Sequence, residues 1–164
     1  MNLKITLFFI GLLTTTLLSP DLETIRKQYR MADNNEEATK KLFGDLSSIG
    51  KNDSPTAIAY KGAVTTMMSK YADGFKDKKD TFKQGRELLE EAVTAEPENV
   101  EIRCIRLSVQ ENVPKITGYK KNIDTDKQFI IANFSKMGDN GAKSFVKGYI
   151  SQSKTFTEAE KQLF

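Results

Sequence analysis

The stretch Phe82-Lys-Gln-Gly85-Arg-Glu-Leu88-Leu89-Glu-Glu-Ala92-Val93-Thr-Ala-Glu-Pro97 decides the fold. Its apolar and small residues return every three or four positions, the spacing that gathers side chains on one side of a helix. Pro97 has no amide donor and its ring clashes with the preceding turn, so the helix stops just before it. Glu96-Pro97-Glu98-Asn99 then forms a short turn, and Asn99 is a good cap for a helix from Val100 to Asn112. On that helix Ile102, Ile105, Val109 and Val113 share one face, with Leu107 and Cys104 nearly opposite. A helix apolar on two sides belongs between neighbours.

The same pattern continues in both directions. Ser54-Pro55 opens a helix in which Ile58, Ala59, Gly62, Ala63, Thr66 and Met67 place small residues where a partner helix can approach closely. Asp73-Gly74 breaks it, and the decisive helix is expected from about Lys78 to Ala95. Upstream, Ser19-Pro20 reads as the start of a helix running to residue 31, and Ala38, Leu42, Phe43, Leu46 and Ile49 form a stripe from Glu36 to Ile49. Downstream, Pro114 ends the Val100 helix and Tyr119 to Ile123 is undecided. Asp124-Thr125-Asp126 caps a helix through Phe129, Ile130 and Phe134, and another passes through Phe145, Val146, Tyr149 and Ile150. Thr155 with Glu158 matches a capping box for a short last helix. No window alternates with period two between hairpin dipeptides. The expectation is all-α: about seven or eight helices in antiparallel helical hairpins, forming a single domain over residues 20–164.

Gly85, Leu89, Ala92 and Pro97 reproduce the intervals of the second helix of a tetratricopeptide repeat, and the segment resembles that family. Residues 55–71 would supply the first helix of the repeat, with Ile58 and Gly62 as its large-small pair. Two departures argue against an extended solenoid. About six extra residues around Ala72 to Lys78 separate the two halves, and Arg103 and Leu107 replace the pair expected in a following repeat. The run from Glu98 to Arg103, with Arg106-Leu107, Gln110 to Pro114 and Gly118-Tyr119, also resembles a group of uncharacterised exported bacterial helical proteins over about Ile25 to Ile131. The tetratricopeptide resemblance implies interaction with another protein; the second carries no activity.

Lys4, the apolar run from Ile5 to Leu13 and the small residues before Pro20 have the composition of a secretory signal peptide over residues 1–19. The run falls short of the roughly twenty residues that span a bilayer, so cleavage is favoured over an uncleaved anchor. The expected location is the periplasm or outside a bacterial cell, with membrane contact only through an uncleaved N-terminus. Cys104 is the one cysteine; it cannot form an internal disulfide and reads as a buried, inert thiol.

With 25 basic and 22 acidic residues the charge is nearly balanced. Lys76, Lys78, Lys79 and Lys83 cluster, but Asp73, Asp77 and Asp80 dilute them into a solvated helix face, so no nucleic-acid partner is expected. The chain has no histidine, which removes the usual general base and nearly all zinc sites. No enzyme activity, cofactor or metal is expected. Between the two apolar faces of the Val100 helix lies a strip of Arg103, Arg106 and Gln110. A partly buried guanidinium needs an anionic or hydrogen-bonding partner. That partner is either internal, among Glu90, Glu91, Glu101 and Asp126, or an acidic ligand or peptide C-terminus held in a groove that Tyr119 would help line. The reading that follows is an exported, non-catalytic helical interaction or scaffold module. The alternative is a periplasmic protein binding a small molecule or envelope component in an interhelical pocket.

Overall fold

Among residues 20–164, which this computed structural model describes, the regular structure is eight α-helices and two short 3-10 turns, with no strand. The signal segment expected at residues 1–19 lies outside the described residues. The helices are α1 (Leu22–Met31), α2 (Glu36–Asp45), α3 (Pro55–Met68), α4 (Gly74–Ala95), α5 (Val100–Asn112), α6 (Ile123–Asn133), α7 (Asn140–Gln152) and α8 (Glu158–Lys161). No helix among the described residues is long and apolar enough to cross a membrane.

Side-chain caps set most of the helix starts. Asn99 Oδ1 accepts the amides of Glu101 and Ile102, and Asp139 Oδ1 accepts those of Gly141 and Ala142. Four starts differ from the sequence reading; one is α6, which begins at Ile123 with Asn122 at its N-cap, so that Asp124-Thr125-Asp126 lie inside its first turn and do not cap it. Helix α1 begins at Leu22 because Asp21, not Ser19, accepts the Thr24 amide at 2.9 Å. Helix α4 begins at Gly74, a turn before Lys78, so most of the supposed insertion is its own first turn. The capping box joins Thr157 to Glu160, because the Thr155 amide is already held by Glu111.

Helix α5 is buried along nearly its whole length, including Ile102, Cys104, Ile105 and Leu107, as its two apolar faces require. Burying each such aliphatic side chain contributes about 1.5–3 kcal/mol. Helices α3, α4, α6 and α7 all pack against it. The most extensive helix pair is α3 with α4, and its closest approach is at Gly62 and Gly85. A Cβ on Gly62 would sit 2.7 Å from the Gly85 carbonyl oxygen. Only glycine lets the two backbones come so near. Tyr29, Tyr60 and Phe145 then join α1, α3 and α7 through edge-on ring contacts, with Tyr29–Tyr60 centroids at 5.3 Å and Tyr60–Phe145 at 5.5 Å.

Candidate functional site

The structure brings Arg103, Arg106, Gln110 and Tyr119 into one neighbourhood and gives the charged members internal partners. Asp126, in the first turn of α6, is 0% exposed. Its carboxylate accepts from Arg106 Nε and Nη2, both at 2.7 Å, and from Arg103 Nη1 at 2.9 Å. Arg106 Nη1 also donates to Glu90 at 2.8 Å. Burial opposes the Arg106 charge, but the hydrogen bonds and charges of Asp126 and Glu90 outweigh it and raise the pKa. Arg103 additionally donates to the Pro97 carbonyl and lies over the Phe129 ring, 4.9 Å from its centroid. The Tyr119 hydroxyl donates to Glu90, and burial raises its pKa well above that of an exposed phenol. Gln110 is fully buried; its Nε2 lies 3.5 Å from Asn122 Oδ1, and its Oε1 has no hydrogen-bond partner among the described residues.

A second buried ionic group joins α1, α3, α5 and the start of α7. Glu101 accepts from Arg26 Nε at 2.7 Å, Arg26 Nη2 at 2.8 Å and the Tyr60 hydroxyl at 2.8 Å, while Arg26 Nη2 also reaches Asp139 at 2.8 Å. Sequence reading names Glu101 only as a possible partner of the arginine strip. Its partners lie 75 and 41 positions away, and no local spacing marks them.

A cleft of about 860 Å³ lies elsewhere, bordered by α1, α3, α4, α5, α7 and the turn at 113–117. Tyr29, Met67, Phe82, Val109, Phe145 and Tyr149 give it an apolar floor. Phe82 is supported from behind by Tyr119, ring edge to face at 6.0 Å, and the Tyr29 hydroxyl, hydrogen-bonded to Ser108, is pushed up to about 12 by burial. At the lips stand Phe75, 81% exposed, and Ile116, 90% exposed.

The walls are strongly basic. Arg30, Lys70, Lys78, Lys79, Lys83 and Arg86 are joined by Lys154, against two carboxylates, Asp33 and Glu111. Glu111 is engaged inside the protein: it accepts from the hydroxyls of Tyr149 and Ser153 and the amides of Lys154 and Thr155. Lys83 lies 3.7 Å from Glu87; no other cation of the cleft has a carboxylate within ion-pair distance among the described residues. The buried Arg26 and Arg106 and the half-buried Arg103 are all paired, whereas, among the described residues, the cations of the cleft other than Lys83 are not. Sequence reading finds the lysine cluster and places it on a solvated face, and Lys76, Lys78, Lys79 and Lys83 are all exposed; that the last three also border a cleft built from five helices far apart in the chain is reported by no local motif. No group of three or more His, Cys, Asp or Glu side chains able to hold a metal ion occurs among the described residues. Comparison of the chain with protein-family models, curated proteins and solved structures gives no match.

Proposed function

We propose that this protein is an exported, non-catalytic helical interaction module whose cleft holds a segment of a partner protein. The observation that carries the reading is the cleft itself: an apolar floor, two exposed apolar side chains at its lips and walls of cations of which Lys83 alone has a carboxylate within ion-pair distance among the described residues. Interfaces place apolar and aromatic anchors centrally, as the floor of this cleft does, with polar groups around them. The tetratricopeptide-like intervals Gly85, Leu89, Ala92 and Pro97 add support, since the first three lie on the helix that supplies Phe75, Phe82 and most of the cations, and Pro97 follows its end. The arginine strip belongs to the scaffold in this reading, as its carboxylates are supplied from within.

A second reading is favoured by one observation. The cleft volume lies within the roughly 300–1,000 Å³ of small-molecule sites, which suits an envelope component as ligand. A thermal-shift screen with cell-wall fragments and acidic metabolites separates the two readings.

The experiment for the main reading is photo-crosslinking in the native bacterium from a photoreactive residue at position 75, compared with one at Lys40 on the exposed face of α2. A specific protein adduct from position 75, absent from position 40 and lost on Ile116→Asp, is the expected result. No adduct from position 75 overturns the reading, and recovery of adducts only in the cytoplasmic fraction overturns the exported location.

A further inference from the structure

Resting on the reading of the cleft as a partner site, we infer that its occupant is an acidic polypeptide segment with apolar side chains, lying along α4. Helix α4 presents Phe75, Lys78, Lys79, Phe82, Lys83 and Arg86 to the cleft. These recur at three, four and seven, so they form one stripe down a single face. From residue 78 to residue 86 that stripe extends about 12 Å at 1.5 Å per residue. A single phosphate or carboxylate reaches only one or two cations of such a row. A chain with repeated acidic side chains reaches all of them, since alternate residues of an extended strand are spaced about 6.6 Å apart and residues one helical turn apart by a similar distance.

The alternation of Phe75, the lysine pair, Phe82 and the next cations calls for apolar groups between the acidic ones. Phe82 is held from behind by Tyr119, so it offers a fixed ring face. A membrane surface does not fit as well. The floor is walled by α7 through Gly148, Tyr149 and Gln152 and by the 113–117 turn, so a flat bilayer meets the lips and not the floor.

The test is fluorescence anisotropy of the full mature chain with a labelled synthetic peptide composed of Asp, Glu, Leu and Phe. Two control peptides carry Lys in place of Asp and Glu, or Ser in place of Leu and Phe; phosphatidylglycerol vesicles are offered separately. The acidic apolar peptide is expected to bind, more weakly at higher salt, with about a tenfold loss for Lys79→Glu/Lys83→Glu, where like charges now face the ligand. Both residues are exposed, so the variant is expected to fold; circular dichroism checks this. Phe75→Ser is expected to weaken the acidic apolar peptide and leave the Ser-substituted control unchanged. Failure of the acidic peptide to bind, equal binding of the Lys peptide, unchanged affinity in the charge-reversal variant, or association with vesicles alone each overturns the inference. Persistence of the position-75 crosslink in Lys79→Glu/Lys83→Glu would overturn only the acidic chemistry, whereas absence of any crosslink would overturn the partner site itself.

Discussion

Gly62 and Gly85 meet backbone to backbone between α3 and α4: a Cβ on Gly85 would lie 2.6 Å from the Gly62 carbonyl oxygen and 2.5 Å from the Thr66 amide nitrogen. Those neighbours are main-chain atoms and cannot rotate away, so a methyl group there forces the helices apart. Gly85→Ala is expected to destabilise by about 1–3 kcal/mol, the range for overpacking. A urea titration reads this as a lower midpoint at unchanged slope. Gly44, on α2, is the opposite case, because a methyl group added there would meet nothing within 4 Å. Gly44→Ala is expected to gain up to about 1 kcal/mol. Equal stability of both variants would show that the close approach is not a constraint.

The approach at Gly85 is legible in the sequence, because small residues at helical spacing on both helices leave room for each other's backbone. The buried character of α5 is legible for the same reason, since two apolar faces leave no side for solvent. Helix ends are less so. Gly74, at φ +70°, reads as a break, yet it is the hinge from which α4 starts. Asp126 reads both as part of a cap and as one of four candidate partners for the arginine strip; the structure makes it the buried counter-charge of Arg103 and Arg106, while which of the four candidates serves is set by how α6 lies on α5. The cleft is illegible because each of its lysines, taken alone, looks like ordinary solvated charge.

Glu101→Ala leaves Arg26 buried with only Asp139 as counter-charge and removes the acceptor of the Tyr60 hydroxyl. Breaking a buried pair from one side costs about 3–5 kcal/mol. The double variant Arg26→Met/Glu101→Leu, which removes both charges, is expected to recover much of that loss, as measured by thermal and chemical unfolding in a double-mutant cycle.

Asp126→Ala is expected to be similarly damaging, because Arg106 is 3% exposed and loses its bidentate acceptor. Arg103→Ala is expected to be milder, since Arg106 still neutralises Asp126. A folded Arg103→Ala protein should bind the acidic peptide with unchanged affinity. A selective loss of binding in that variant would move the site from the cleft to the arginine strip.

Asp139 has its pKa lowered by the Ala142 amide it caps and then by Arg26. A carboxylate whose pKa is lower in the folded state adds stability that is fully present above the unfolded value, about 3.9. That contribution disappears as pH falls through the folded pKa. Asp139→Asn keeps an acceptor at the cap but cannot titrate. Its stability is therefore expected to fall less steeply than that of the native protein below about pH 4, when unfolding is followed by circular dichroism across an acid series.

Glu111→Ala removes the acceptor shared by Tyr149, Ser153 and the amides of Lys154 and Thr155. The consequence is local: faster hydrogen exchange from about residue 153 to the C-terminus, with the α3 and α4 amides unchanged. Uniform acceleration along the chain would instead make Glu111 a determinant of global stability.

Cys104 is 0% exposed at the centre of α5, and burial raises its thiol pKa well above the ordinary value. Because it is also the chain's sole sulfhydryl, the protein carries an internal clock for its own opening. A thiol-reactive dye can label it only when α5 leaves its neighbours, so the labelling rate in native buffer reports how often the whole helical assembly comes apart, without any introduced probe.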